Sequence, residues 1–135
     1  QDAAELRGEV SRLLEAYPKN PALLLTRSLA ENFAEERNSD VVVDNFAAFL
    51  EFGLSSSGWA MTSEEIINPA VDYMKMVYLE SAVLAQRLFK NLLQAIPLDT
   101  SELRLLAEKL PSEFAIHAVY LLQKKLSSQL KEIFQ

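Results

Sequence analysis

The stretch that decides the fold is PAVDYMKMVYLESAVLAQRLFKNLLQAI, which runs from Pro69 to Ile96. Its apolar residues recur every three or four positions, which is the period of an α-helix. One stripe consists of Val71, Met74, Tyr78, Ala82, Ala85, Phe89, Leu92 and Ile96, and a second, about a third of a turn away, consists of Val77, Leu84 and Leu88. A helix that is apolar on two sides is packed on two sides. The sequence therefore predicts one continuous central helix over about 69–96, with other helices around it.

The N-terminal residues predict a helical hairpin. A first helix, capped by Asp2, runs to about Tyr17 and ends at the turn YPKNP. Asn20 is a good N-cap for a second helix, and Pro21 suits its first position, where the missing N–H costs nothing. The segment over 16–36 resembles one tetratricopeptide unit, but no second copy follows about 34 residues later. With so short a connection, a plain antiparallel hairpin is the prediction.

The next segment predicts a third helix from about Asp40 to Phe52, where the apolar residues again have helical spacing. Gly53 follows at the position where glycine usually ends a helix. Thr62 and Glu65 have the spacing of a capping box, which predicts a short helical turn over 63–67 before the central helix begins.

The C-terminal residues predict two more helices, separated by Pro111. A short one follows Pro97 and is capped by Asp99 or Thr100, and a final one starts after Ser112. The stripe expected to face inward on the final helix consists of Ile116, Val119, Leu122, Leu126, Leu130 and Ile133. No segment requires a sheet, so the predicted fold is an all-α, single-domain bundle of five to six helices over residues 1–135.

Composition and charge restrict the partners. Residues 1–68 contain five basic and twelve acidic residues, a net charge of −7, whereas residues 69–135 contain eight and seven, a net charge of +1. Nucleic acids and anionic membranes require basic patches, so neither is expected as a partner. No apolar run reaches the roughly 20 residues of a membrane span.

A chain that starts at Gln1 is either a fragment or a mature form. A cytoplasmic location is favoured, and export remains an alternative.

The side chains that carry most enzyme chemistry are scarce. Cysteine is absent, and His117 is the only histidine. One histidine cannot supply the two ligands of a di-iron bundle, and no second one is present for a catalytic triad. Carboxylates one helical turn apart, such as Glu31 with Glu35, are expected to be solvated faces. The sequence therefore predicts no enzyme activity, no cofactor and no metal site.

The segment GLSSSGWAM, residues 53–61, differs from its surroundings because it contains two of the three glycines and the only tryptophan. Leu54, Trp59 and Met61 form an apolar anchor if they point outward, and such residues are enriched at interface hot spots. The alternative is that Trp59 folds back as a lid over the end of the bundle, since tryptophans are buried on average.

The apolar content also predicts association with another protein or with a second copy of the chain. Phe114, Ala118 and Leu121 lie beside the inward stripe of the final helix and are candidates to face a partner. The leading hypothesis is a non-catalytic helical protein–protein interaction module: a scaffold, adaptor, chaperone or complex subunit. Two alternatives are a regulatory or phosphotransfer bundle that uses His117, and a small bundle that binds a hydrophobic ligand between Phe46, Phe49, Met74, Tyr78 and Phe89.

Overall fold

The computed structural model describes residues 3–55, 59–96, 106, 108–110, 120, 123–124, 126–128 and 130–132. The fold class is all-α, as predicted, and no strand occurs in these residues. The helices are α1 (Ala3–Ala16), α2 (Pro21–Asn32), α3 (Ser39–Leu54), α4 (Ser63–Glu80) and α5 (Ala82–Ala95). The chain divides into two compact units, Gln1–Pro69 and Ala70–Gln135. Within the described part, none of the helices is long and apolar enough to cross a membrane.

Helices α1, α2 and α3 pack as consecutive antiparallel neighbours, with α2 in contact with both others. The guanidinium of Arg7, in the first half of α1, lies 3.2 Å from the carboxylate of Glu31, near the end of α2. The buried hydroxyl of Ser28, late in α2, donates a hydrogen bond of 2.8 Å to the carbonyl of Val42, early in α3. These contacts join the start of one helix to the end of the next and confirm the predicted hairpin.

The predicted capping motifs are present. The side-chain oxygen of Asn20 accepts a hydrogen bond of 3.1 Å from the Leu23 N–H, and Pro21 is the first residue of α2. In the capping box before α4, the Thr62 N–H donates to Glu65 Oε1 at 3.1 Å and the Glu65 N–H donates to Thr62 Oγ1 at 3.2 Å. Both motifs satisfy N–H groups that a helix start leaves without partners.

The residues of the predicted apolar stripes are mostly buried in the core. Nearly every member of the two stripes over 71–96 is buried, and only Tyr78 and Ala82 are half-buried. In the N-terminal unit, the rings of Phe46 and Phe49 lie with their centroids 5.9 Å apart, and both side chains are buried. Helical spacing therefore identified the buried residues correctly.

The prediction of one continuous helix over 69–96 is wrong, because the helix is interrupted at Ser81. This residue has extended backbone angles, φ −154° and ψ 105°, and its side chain accepts a hydrogen bond of 3.2 Å from the Leu84 N–H. Serine makes such local bonds readily and therefore competes with the helical conformation. Ser81 ends α4 and starts α5 as its N-cap, so two helices share the predicted stripes.

The start of this region also differs from the prediction. Pro69 was expected to begin the long helix after a short turn at 63–67, yet α4 starts at Ser63 and continues through Pro69. A proline inside a helix removes one hydrogen bond and crowds the preceding turn. Ile66, Ile67 and Ala70 are all fully buried on either side of it, and burial of this apolar surface offsets that cost.

Gly53 has a different role from the one predicted. It lies inside α3, which ends at Leu54, and no glycine among the described residues has a positive φ. A Cβ atom at this position would lie 2.6 Å from Ile66 Cδ1 and 3.3 Å from Met61 Sδ. Gly53 is required for close packing of α3 against the start of α4, because real Cβ atoms essentially never approach so closely.

Two members of the predicted inward stripe on the final helix are exposed. Leu126 is 40% exposed and Leu130 is 52% exposed, so the prediction that they face inward is wrong. Helical spacing places apolar residues on one face but cannot distinguish a face in contact with the core from one in contact with solvent. Ile116, Val119, Leu122 and Ile133 lie outside the described residues, as do the predicted caps Asp2, Asp99, Thr100 and Ser112.

Candidate functional site

The most distinctive surface of the N-terminal unit is an open cleft of about 230 Å³, which we call the Tyr17–Trp59 cleft. Its lining residues are Tyr17, Pro18, Lys19, Asn20 and Trp59. Tyr17 is 61% exposed and Trp59 is 57% exposed. Two aromatic side chains of this size are normally more than half buried, so their exposure requires an explanation.

One wall of the cleft is the turn between α1 and α2. The Tyr17 N–H donates to the Leu13 carbonyl at 2.9 Å, and the Asn20 N–H donates to the Tyr17 carbonyl at 3.2 Å. Pro18 has a fixed φ, and Asn20 is held by its role as the N-cap of α2. Hydrogen bonds and ring constraints therefore fix the backbone that presents Tyr17.

The other wall is the end of the 53–61 segment, which folds back on the last turn of α3. The Trp59 N–H donates to the Phe52 carbonyl at 3.3 Å, and the Met61 N–H donates to the Gly53 carbonyl at 2.7 Å. Between them, Ala60 donates to the Ser55 carbonyl at 3.2 Å and has a φ of 48°. These bonds satisfy carbonyls at the helix end and hold Trp59 in place.

The chemical groups in the cleft are of kinds that bind a partner by surface contact. They comprise two aromatic rings, a pyrrolidine ring, an amide and the ammonium group of Lys19. The Lys19 Nζ lies 5.5 Å from the centroid of the Phe52 ring, a cation–π contact that connects the turn to the last turn of α3. Exposed aromatic surface on a fixed backbone offers contact area at little cost in conformational entropy.

The three residues predicted as an anchor in the 53–61 segment have different surroundings. Trp59 is exposed, which contradicts the alternative of a buried lid. Leu54 and Met61 are half-buried, and the Met61 sulfur points towards Gly53, so Trp59 is the member of the set that is available to a partner. The other predicted partner-binding residues, Phe114, Ala118 and Leu121, lie outside the described residues.

Sequence reasoning did not identify Tyr17 and Lys19. Both belong to the turn YPKNP, from which the sequence predicts only the end of the first helix. The residue before a proline is disfavoured in the helical conformation, and Tyr17 directly follows the end of α1 at Ala16. That combination is the signal in the sequence that the side chain projects from the packed helices.

The residues considered for catalysis or metal binding are distributed as follows. His117 lies outside the described residues. Glu31, which was considered with Glu35, is in an ion pair with Arg7. In the part of the chain that the structure describes, no three histidine or carboxylate side chains lie together in a group able to hold a metal ion.

Comparison with known proteins found no matching family model, no similar curated protein and no similar solved structure.

Proposed function

We propose that the chain is a non-catalytic protein–protein interaction module that binds another protein through the Tyr17–Trp59 cleft. The observation that carries this proposal is the exposure of the only tryptophan, opposite an equally exposed tyrosine, on backbone segments held by hydrogen bonds. Tryptophan and tyrosine are the residues most enriched among interface hot spots. They contribute most when they are presented without reorganisation.

Site-specific photo-crosslinking tests the proposal. A benzophenone side chain is introduced at position 19, in the cleft, and separately at position 35. Lys19 and Glu35 are both exposed and lie beyond opposite ends of α2, which is roughly 18 Å long. In cells that express the natural partner, we expect a discrete adduct from position 19 and none from position 35.

Two controls connect the adduct to the aromatic rings. Unlabelled wild-type chain should compete the adduct away, whereas the double variant Tyr17→Ala/Trp59→Ala should not compete. Equal adducts from positions 19 and 35, or full competition by the double variant, would contradict binding through the cleft.

A second copy of the chain is the alternative partner, and one observation in the C-terminal unit favours it. Leu79 is 86% exposed and Val83 is 71% exposed, on either side of the break at Ser81. The two residues are four positions apart in the sequence, and exposed apolar surface favours association. Sedimentation velocity should then show a dimer for the wild type and a monomer for Leu79→Lys/Val83→Glu. Each introduced charge suits the helix terminus at which it lies, so the double variant should remain folded.

The remaining alternatives have less support. Four of the five residues proposed to enclose a hydrophobic ligand are core residues, since Phe46, Phe49, Met74 and Phe89 are each at most 2% exposed, and the fifth, Tyr78, is half-buried. Phosphotransfer through His117 depends on a residue outside the described part, and incubation with a phosphodonor followed by intact-mass analysis tests it directly.

A further inference from the structure

We infer that the helical residues between 120 and 132 bind an acidic segment of another protein through a face that carries two lysines. This face, which we call the Lys124–Lys131 face, lines an open depression of about 270 Å³. Its lining residues are Tyr120, Gln123, Lys124, Ser127, Ser128 and Lys131. The face belongs to the C-terminal unit, whereas the Tyr17–Trp59 cleft belongs to the N-terminal unit, so the inference does not depend on the proposed function.

Helical spacing brings the lining residues to one side of the helix. The described residues between 120 and 132 are all α-helical. Four lining positions, 120, 124, 127 and 131, follow one another at intervals of four, three and four residues, which is the spacing of neighbours along one helix face. Since seven residues separate Lys124 from Lys131, their two ammonium groups are offered to a partner about 10 Å apart along the helix axis.

The charged side chains that line the depression are both cations. They are Lys124 and Lys131, and each is exposed. The neighbouring carboxylate of Glu132 is exposed as well, but it is not among the lining groups. In the part of the chain that the structure describes, neither lysine is in an ion pair. The serine and tyrosine hydroxyls and the Gln123 amide add neutral donors, so the face is complementary to carboxylates.

One of the two cations is restrained before any partner binds. The Lys124 Nζ lies 5.4 Å from the centroid of the Tyr120 ring, a cation–π contact between residues one helical turn apart. An ammonium group has three N–H donors and the ring occupies one side of it, which leaves donors for a carboxylate. The contact therefore reduces the conformational entropy that the lysine side chain loses on binding.

Exposed apolar residues form a row beside the lysines. Leu126 is 40% exposed and Leu130 is 52% exposed. They follow Gln123 and Ser127 by three residues each, so they lie next to the face on the same helix. A partner that places carboxylates against the lysines covers these leucines at its edge, and burial of their apolar surface adds to the affinity.

Polyanions other than proteins fit this face less well. Affinity for nucleic acids increases with the number of phosphates that basic residues neutralise, and the face supplies two cations. The whole chain has a net charge of −6, which repels nucleic acids and anionic membranes. A protein segment with a few carboxylates needs no more cations than these two.

Amide NMR on the isotope-labelled full chain tests the inference, because it reports both affinity and location. Four probes are titrated: a blocked peptide that alternates glutamate with glycine, its lysine–glycine counterpart, oligothymidylate, and vesicles that contain phosphatidylserine. We expect the glutamate peptide to produce saturable shifts of amides within 120–131. Its dissociation constant should increase several-fold as the ionic strength is raised from low salt to roughly 0.15 M.

Two charge-matched double variants show whether the lysines of the face are responsible. Lys124→Gln/Lys131→Gln should weaken the glutamate peptide at least about fivefold, because it removes both cations from the depression. Lys75→Gln/Lys90→Gln removes two exposed lysines from α4 and α5 of the same unit and should change the affinity less than about twofold. Glutamine has nearly the helix propensity of lysine, so both variants should stay folded, which circular dichroism checks.

Four results would overturn the inference. The first is the absence of saturable shifts within 120–131 with the glutamate peptide, and the second is an equal effect of the two double variants. The third is tighter binding of oligothymidylate or of the vesicles than of the glutamate peptide at roughly 0.15 M ionic strength. The fourth is a dimer of the peptide-free chain in sedimentation velocity that Lys124→Gln/Lys131→Gln dissociates, since the occupant of the face would then be a second copy.

Discussion

Two sets of large aromatic side chains in the described part of the chain have opposite surroundings. Phe46, Phe49 and Phe89 lie on helical stripes and are at most 2% exposed, whereas Tyr17 and Trp59 lie in connecting segments and are more than half exposed. Residues of the first group should determine stability, since their burial removes apolar surface from water. Residues of the second group should determine binding and contribute little to stability.

The largest expected effect tests the buried group. Phe89→Ala should lower the free energy of unfolding by about 3–5 kcal/mol, because it removes a fully buried ring and leaves a cavity. Urea denaturation followed by circular dichroism measures the loss. A change below about 1 kcal/mol would mean that the ring is not enclosed as described.

The second effect concerns the close contact that anchors the segment leading to Trp59. Gly53→Ala should destabilise the protein by about 1–3 kcal/mol, because the new Cβ would lie 2.6 Å from Ile66 Cδ1 in a fully buried environment. Gly8→Ala is the matched control. Gly8 is exposed inside α1 with no atom within 4 Å of the added methyl group, so this change should stabilise by up to about 1 kcal/mol through helix propensity.

A double variant shows whether the Ile66 methyl group is the cause. Ile66→Val removes Cδ1, so the cost of Gly53→Ala should be smaller in that background, and the two changes should be non-additive. Strict additivity in thermal unfolding would indicate that another contact is responsible.

The buried group could be predicted from the sequence, whereas for the exposed group the sequence left Trp59 open between an anchor and a lid and did not lead to Tyr17. Apolar spacing identifies Phe46, Phe49 and Phe89 because the period is a local property of each helix. The caps at Asn20 and Thr62 are also local and were predicted correctly. The cleft that displays Tyr17 and Trp59 brings the turn after α1 next to the end of the 53–61 segment, and these two parts are far apart in the sequence.

Helix boundaries within the stripes were the other failure, for a related reason. The apolar period continues through Ser81, so it gives no indication of the break, and Pro69 looks like a start although α4 passes through it. In both places a local preference of a few kcal/mol competes with packing against residues elsewhere in the fold. Whether the local preference or the packing prevails cannot be read from a single sequence.

The third effect tests the break at Ser81. Ser81→Ala should cost about 1 kcal/mol, because the Leu84 N–H loses the side-chain oxygen that accepts its hydrogen bond. Ser81→Asp should retain most of the stability, since aspartate is also a good N-cap. Ser127→Ala, an exposed helical position, is the control and should be neutral or slightly stabilising. A neutral result for Ser81→Ala would contradict a capping role.

The smallest expected change in stability tests the exposed group. Trp59→Ala should alter the free energy of unfolding by less than about 0.5 kcal/mol, since more than half of the side chain is already in contact with water and the backbone hydrogen bond of residue 59 is retained. The same variant should weaken partner binding by at least about 2 kcal/mol if Trp59 is a hot spot. Chemical denaturation and binding titration on one preparation measure both quantities. A large loss of stability would mean that Trp59 belongs with the buried phenylalanines, whereas unchanged stability with unchanged binding would remove the cleft from consideration as the interaction site.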